Sequence, residues 1–388
     1  MFAQSSLDSS RPFELRPFQK EALEALREPG HLICIAPTGS GKSLIYETYA
    51  RNHRVLLVTP LVALARQQHL KLTRLGIPVT LAAGPDPMPP PQAKTGVWII
   101  SPERLAHPLS SQKAAAWKPS LLAVDECHCL WDWGEKFRPS FLQIPKFLKE
   151  HSIPRSVWLS ATLPKLAREE LRHELPAPIR EMGEFGLPPT LHLSVQRVPW
   201  PQRTQRLLEF VLTQKDAGIL FVQTRATAER LSLLLKATGK RCAVYHAGMS
   251  SEERRIIENQ IEEHQPEIVI ATSAFGMGMD HPHLRWALLW QAPPSLLSLA
   301  QSIGRAGRHP HLKSRALIFW DEEDFRLLQW MTQGSARRLQ ELHDVQNFLI
   351  QSACRRASLR SYFCEHGASS LCDLCDFCTS LLDHESKL

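Results

Sequence analysis

The sequence predicts an α/β protein: two open parallel sheets in tandem, each wrapped by helices, followed by a small helical segment built around a metal. Three observations predict this. Short apolar runs alternate with helix-like stretches in two separate regions of the chain. A glycine-rich loop joins strand to helix in the first region. Five of the nine cysteines fall between Cys354 and Cys378.

In the first region the predicted strands are Leu32–Ala36, Val55–Thr59, Val97–Ser101, Leu121–Asp125 and Ser156–Ser160, with room for crossover helices between them. Asp86-Pro-Met-Pro-Pro-Pro91 cannot be helix or central strand and is predicted as an exposed loop. From Gly183 to Pro201 the chain is proline-rich and is predicted to cross between domains. The second region predicts strands at Ile219–Gln223, Cys242–Tyr245, Ile268–Ala271, Trp286–Trp290 and Ala316–Trp320, and a helical, charged pattern follows Asp321. The corresponding domains are 1–190, 191–335 and 336–388.

The chemistry begins at Ala36-Pro-Thr-Gly-Ser-Gly-Lys-Ser43, which lies between a strand-like run and the helix-like Leu44-Ile-Tyr-Glu-Thr-Tyr. That order suits a phosphate-binding loop. Thr38, Gly39, Ser40 and Gly41 would turn backbone N–H groups towards phosphates, aided by the helix dipole. Lys42 would reach the β/γ-phosphates and the Ser43 hydroxyl would bind Mg²⁺. Asp125-Glu-Cys-His128 follows a second apolar run. There Asp125 is a second Mg²⁺ ligand, Glu126 the base for an attacking water, and His128 completes the catalytic set. Only the first region has such a loop, so a nucleotide between domains would draw further groups from the second. Arg305 and Arg308, in Gln301-Ser-Ile-Gly-Arg-Ala-Gly-Arg308, are the candidate arginine fingers.

Cys372, Cys375 and Cys378 stand at C-x₂-C-x₂-C after a distant Cys354. Four thiolates can close a tetrahedral structural Zn²⁺ site. An iron–sulfur cluster also suits three close cysteines, Cys364 could replace Cys354, and His366 is a further donor. A local cluster of this kind points to metal rather than to disulfides.

Composition is compatible with this reading. The formal charge of +7 favours a polyanionic partner, and 43% hydrophobic residues suffice for proper cores. No apolar run approaches the roughly 20 residues of a membrane span. Met1-Phe-Ala-Gln-Ser-Ser lacks the pattern of a secretory leader, so a cytoplasmic location is expected.

From about Phe13 to Cys378 these motifs, in this order, resemble the RecQ helicases of helicase superfamily 2. The resemblance implies two RecA-like domains and a zinc-binding subdomain. It also implies ATP and Mg²⁺ as cofactors besides Zn²⁺, and single-stranded and partly duplex DNA as partner. Leu15-Arg-Pro-Phe-Gln19 looks like the family's adenine-reading motif, in which Gln19 would bond the base and Arg16 would pack beside it. Thr59-Pro-Leu and Ile100-Ser-Pro-Glu-Arg resemble turns that touch the DNA backbone, where hydroxyls and turn N–H groups suit phosphate oxygens. Ser160-Ala-Thr162 looks like the element linking hydrolysis to DNA. Tyr245-His-Ala-Gly248 and Ala271-Thr-Ser-Ala-Phe-Gly-Met-Gly278 match second-domain elements, with Gly276 and Gly278 permitting close approach.

The segment His128-Cys-Leu-Trp-Asp-Trp-Gly-Glu-Lys-Phe-Arg-Pro139 is similar to the family's aromatic-rich loop. Trp133, Phe137 and Arg138 would contact DNA there. Trp131, Trp133 and Phe137 lie among polar residues, and exposed rings stack on unpaired bases without reading sequence. The resemblance implies a 3′→5′ translocase and helicase serving recombination and repair. Winged-helix and small helical DNA-binding domains follow the zinc subdomain in longer family members. This sequence ends ten residues after Cys378, which implies a short form whose translocation is more secure than its unwinding. The competing readings are a superfamily 2 RNA helicase and a non-catalytic zinc-stabilised DNA-binding or annealing module.

Overall fold

A computed structural model of the protein describes residues 15–82, 88–131, 139–273, 275, 281–309, 311–332, 334–364 and 371–385. Two all-parallel sheets form its frame. The first contains β1 (Gly30–Ile35), β2 (Arg54–Val58), β3 (Val79–Ala82), β4 (Gly96–Ile100), β5 (Leu121–Val124), β6 (Arg155–Ser160) and β7 (Ile179–Met182), in the order β3-β4-β2-β5-β6-β1-β7. The second contains β8 (Leu191–Arg197), β9 (Gly218–Phe221), β10 (Cys242–Tyr245), β11 (Ile268–Ala271), β12 (Trp286–Leu289) and β13 (Ser314–Trp320), in the order β10-β11-β9-β12-β13-β8. Helices lie between most successive strands of each sheet, as parallel pairing favours.

All ten predicted strands are present, half of them ending one residue early. Three were not predicted: β3, β7 and β8. The last narrows the predicted crossing to residues 183–190, because Leu191–Arg197 inside that stretch is already a strand of the second sheet, paired along its whole length with β13.

Both faces of each sheet's interior are covered, so interior strands such as β2, β5, β9 and β11 bury nearly every side chain, while the edge strands do not. Along β2, Leu56 and Val58 join one apolar cluster while Val55 and Leu57 join another. β11 divides in the same way, Val269 and Ala271 against Ile268 and Ile270. The first cluster is shared: it runs from one face of the first sheet through one face of the second to Phe363, Cys375 and Cys378. Among the described residues no helix is long and apolar enough to cross a membrane.

The C-terminal segment is sewn to both sheets. Its loop adds a bridge to the edge strand β8, with Leu193 N–H donating to the Leu374 carbonyl (2.9 Å) and Val195 N–H to the Asp376 carboxylate (2.9 Å). On the other side Arg168, in the helix Lys165–Glu174 of the first sheet's layer, donates to the Phe363 carbonyl. Phe185 stacks on Phe363 at 4.2 Å.

Candidate nucleotide site and cysteine cluster

The glycine loop leaves the end of β1 and runs into the helix Leu44–Ala50. Gly39 and Gly41 have φ of 78° and 82°, the left-handed region that favours glycine. Gly41 is fixed twice over, since a β-carbon there would stand 2.6 Å from the Gln19 amide nitrogen. Gln19 is buried against the loop itself. Its amide N donates to the carbonyls of Ser40 (3.2 Å) and Gly41 (2.8 Å), and its Oε1 accepts from Arg16 N–H (2.8 Å). Gln19 therefore braces the phosphate loop, and reaching a base would require it to exchange these bonds. Arg16 is exposed immediately before the helix Pro17–Ala25.

Lys42 is folded onto its own loop, Nζ donating to the carbonyls of Ala36 (2.8 Å) and Pro37 (3.2 Å). Burial lowers its pKa, opposed by the charges of Glu126 and Asp125. The buried Ser40 hydroxyl has no hydrogen-bond partner among the described residues. Thr38 is exposed beside it. The Ser43 hydroxyl accepts from Lys71 Nζ (3.0 Å), which also pairs with buried Glu47 at 2.6 Å.

Asp125 follows β5 directly, its N–H donating to Val58 (2.9 Å), while Cys127 N–H donates to Leu159 (2.9 Å). The acidic turn thus hangs between β2 and β6. Glu126 takes φ of 51°, a strained conformation for a residue with a side chain. Burial raises the pKa of Asp125, and the neighbouring Glu126 charge adds to this. Burial alone would raise Glu126 too. The hydrogen bond and charge of His128, then Lys42 and Arg305, instead hold it below the usual glutamate range. One carboxylate is therefore kept ionised at the expense of the other. Asp125 also accepts from Gln68 Nε2 (3.2 Å).

His128 connects this pair to the next motif. Its Nδ1 lies 3.2 Å from the Glu126 carboxylate and 3.1 Å from Ser160 Oγ. The Ser160 hydroxyl donates to the Thr162 carbonyl and accepts from Thr162 N–H, both at 3.0 Å. Its remaining lone pair therefore faces the ring, which assigns the His128 proton to Nδ1.

Arg305 and Arg308 follow the helix Leu296–Ile303 of the second sheet's layer. Their charges act on Glu126 and Lys42 respectively, so the structure brings residues from both sheets to one site. A loop with an unfilled hydroxyl, a retracted lysine and a buried carboxylate with raised pKa fits a triphosphate with a divalent cation.

Four sulfurs, of Cys354, Cys372, Cys375 and Cys378, lie within 4.8 Å of one another, and Cys354 Sγ is 3.5 Å from Cys372 Sγ. Tetrahedral thiolates about 2.3 Å from one zinc ion have nearly this separation, so the donor set fits Zn²⁺. Burial would raise the pKa of Cys354, but the N–H of Ala357 and the neighbouring cysteines reverse the shift. Cys364 stands apart, 3.9 Å from the Phe185 carbonyl.

Several expected contacts differ. Thr59 is fully buried, and the Ser101 hydroxyl caps its own helix by accepting from Arg104 N–H (3.2 Å). The hydroxyls of these two turns are thus unsuited to DNA phosphates as they stand. Trp131 is 9% exposed and covered by Arg337, so it is packed rather than open for stacking. Gly248 makes room for the Arg225 guanidinium. Trp133, Phe137, Arg138, Gly276, Gly278 and His366 lie outside the described residues. Sequence reasoning missed Gln68, Lys71, Arg225 and Arg337. Arg225, opening a helix after a strand, had a local signal, while the others are identified only by partners distant in sequence.

Residues 16–170 match the DEAD/DEAH box helicase family, residues 202–310 the helicase conserved C-terminal domain, and residues 322–379 the RecQ zinc-binding domain. The chain is 28% identical over 382 residues to the ATP-dependent DNA helicase RecQ of Pasteurella multocida (strain Pm70), covering 94% of this chain and 60% of that protein. It is 28% identical over 365 residues to the probable ATP-dependent DNA helicase RecS of Bacillus subtilis (strain 168), covering 90% and 73%. The chain thus spans about three fifths of the length of the first relative. A solved structure of Mycobacterium smegmatis helicase Lhr bound to ssDNA and AMP-PNP superposes with a TM-score of 0.64 at 23% identity, covering 87% of this chain and 48% of that one, a likeness of fold. With two helicase lobes and a RecQ zinc-binding segment in sequence, and relatives of that kind aligned along nearly its whole length, the chain belongs to the RecQ helicase family.

Proposed function

We propose that this chain is an ATP-dependent DNA helicase of RecQ type, which couples ATP hydrolysis to 3′→5′ movement on single-stranded DNA and to strand separation. Its setting is recombination and repair in the cytoplasm, on nucleoid DNA in a bacterial cell. Residues 1–190 and 191–335 act as the two motor lobes, and 336–388 as the zinc-stabilised support. The observation that carries this reading is that the charges of Arg305 and Arg308, from one lobe, act on Glu126 and Lys42 of the other. A site completed only when lobes meet can convert hydrolysis into relative motion.

In this reading Lys42 leaves the Ala36 and Pro37 carbonyls for the phosphates, and Ser40 gains the acceptor it lacks. Ser43 and Asp125 would hold Mg²⁺, which when bound would neutralise phosphate charge. Glu126, kept ionised by His128, takes the proton of the attacking water. Arg305 and Arg308 stabilise charge on the transferred phosphoryl group. The His128–Ser160–Thr162 chain relays the state of the hydrolytic turn towards the strand, which Trp133, Phe137 and Arg138 grip.

The test is ATP turnover by the zinc-loaded full chain with DNA or RNA oligonucleotides. It is paired with strand separation on 3′-tailed, 5′-tailed and blunt duplexes. DNA should stimulate turnover, Lys42→Ala should abolish it, and the 3′-tailed duplex should open first. Equal stimulation by RNA would favour an RNA helicase, and turnover unaffected by either would overturn the proposal.

A further inference from the structure

Arg337 opens the helix Ala336–Ile350, well beyond the second sheet, yet it closes on the first lobe. Its guanidinium lies 3.6 Å from the centroid of the Trp131 ring, donates to the Trp131 carbonyl, and pairs with Glu341 at 3.3 Å. The ring and the carbonyl are thus held together by one planar group, a geometry lysine cannot reproduce.

Trp131 is the last described residue of the turn that carries Glu126 and His128. Successive N–H groups of Cys129, Leu130 and Trp131 donate to the carbonyls of Glu126, Cys127 and His128, at 3.0, 3.1 and 2.9 Å. These bonds tie the Glu126–His128 pair to Trp131, which the Arg337 clasp holds. The helix Ala336–Ile350 packs in turn on Leu296–Ile303, the helix that runs into Arg305. Two interactions thus reach the first lobe: the charges of Arg305 and Arg308, from the second lobe, act on Glu126 and Lys42, and Arg337, from the C-terminal support, clasps Trp131. They share supports on both sides.

We infer that Arg337 is a positioning residue for hydrolysis: by clasping Trp131 it registers the arginine-bearing lobe against the turn that carries Glu126 and His128. This inference rests on the proposed reading of the chain as a nucleic-acid-dependent ATPase. The clasp holds the turn in its strained conformation and favours the closed arrangement of the lobes, without touching nucleotide.

The experiment uses the zinc-loaded full chain and the variants Arg337→Ala, Arg337→Lys, Trp131→Leu and the Arg337→Ala/Trp131→Leu double. Arg337→Ala should lower kcat for ATP at saturating single-stranded DNA by about 3- to 30-fold, the size a cation–π contact commands. KM for ATP should stay within about twofold, since the clasp makes no ground-state contact with nucleotide. Arg337→Lys, which keeps charge over the ring, should recover part of the loss. The double variant should be no slower than the slower single variant, because each removes the same contact. Additive losses, or an unchanged kcat in Arg337→Ala, would overturn the inference.

A second measurement does not depend on turnover. Hydrogen exchange at the amides of residues 129–131 should accelerate by a similar factor in Arg337→Ala, with exchange in Arg355–Phe363 unchanged. Unaltered exchange at 129–131 would overturn the inference even if the parent protein proves an active DNA-dependent ATPase. Accelerated exchange in a parent that hydrolyses no ATP would sink the ATPase reading, and with it the role of Arg337 in hydrolysis.

Discussion

Asp125 and Asp324 are the same side chain in two kinds of burial. Asp324, in the helix Glu322–Met331 after the second sheet, is 0% exposed and takes both guanidinium nitrogens of Arg203 at 3.0 and 2.9 Å. The N–H groups of Ala292 and Asp321 complete its shell at 3.0 and 3.1 Å. Arg203 is satisfied in turn by the carbonyls of Val198 and Trp290, and it lies 4.3 Å from the Trp200 ring centroid. Asp125 has one backbone N–H and one side-chain amide as hydrogen-bond donors among the described residues, and a second carboxylate beside it. The first is a closed structural joint. The second retains unused bonding capacity, which is what a site needs in order to take up a cation and a substrate.

The comparison can be broken most sharply at the arginines of the open site. Arg305→Ala should lower ATP turnover by about 10³–10⁵-fold while leaving the denaturation midpoint within experimental scatter. Steady-state kinetics and urea titration on one preparation check both halves.

At the closed site Asp324→Asn should leave activity secondary and stability primary. A buried Arg203 deprived of its counter-charge is expected to cost about 3–5 kcal/mol, read from urea unfolding.

The same substitution at Asp125 should have the opposite sign. A carboxyl whose pKa is raised by folding contributes its full stability below its ordinary value of 3.8 and loses it as pH rises through the raised value. At pH 8, without nucleotide or divalent cation, Asp125→Asn should therefore stabilise the fold by about 1–2 kcal/mol. Destabilisation would mean that Asp125 is satisfied in the way Asp324 is.

The smallest effect concerns His283, whose ring centroid lies 4.0 Å from that of His264. Burial, and then the charge of His264, hold its pKa down to about 4. The unfolded chain therefore takes up a proton first, and stability falls as pH drops below about 6.5, levelling off near 4. His283→Asn should make the loss between pH 7 and pH 5 smaller by about 1 kcal/mol, allowing for solvent screening at a half-buried ring.

What was legible in the sequence follows the reach of each interaction. Interior strands such as Val55–Thr59 announced themselves as apolar runs because both their faces are covered. The edges did not. β7 reads Ile-Arg-Glu-Met and β8 reads Leu-His-Leu-Ser-Val-Gln-Arg, mixed patterns that one-sided burial permits, and prolines flank both. The phosphate loop and acidic turn were readable because their chemistry is local. The bonds Gln68–Asp125, Arg203–Asp324 and Arg337–Trp131 join residues 57, 121 and 206 positions apart. Each looks, from sequence alone, like an ordinary surface polar residue. Trp131 misled for the same reason: its polar neighbours suggested exposure, and a distant arginine covers it.

The strand β8 would otherwise present a bare row of N–H and C=O groups at the margin of the second sheet, a template for adhesion to another chain. The cysteine loop sits on that row, through Leu374 and Asp376, and it is shaped by the four sulfurs that converge beside it. An ion held by those sulfurs would thus also fix the loop that covers this edge. A chain stripped of zinc should stick to its own kind through Leu193 and Val195 before it loses either sheet.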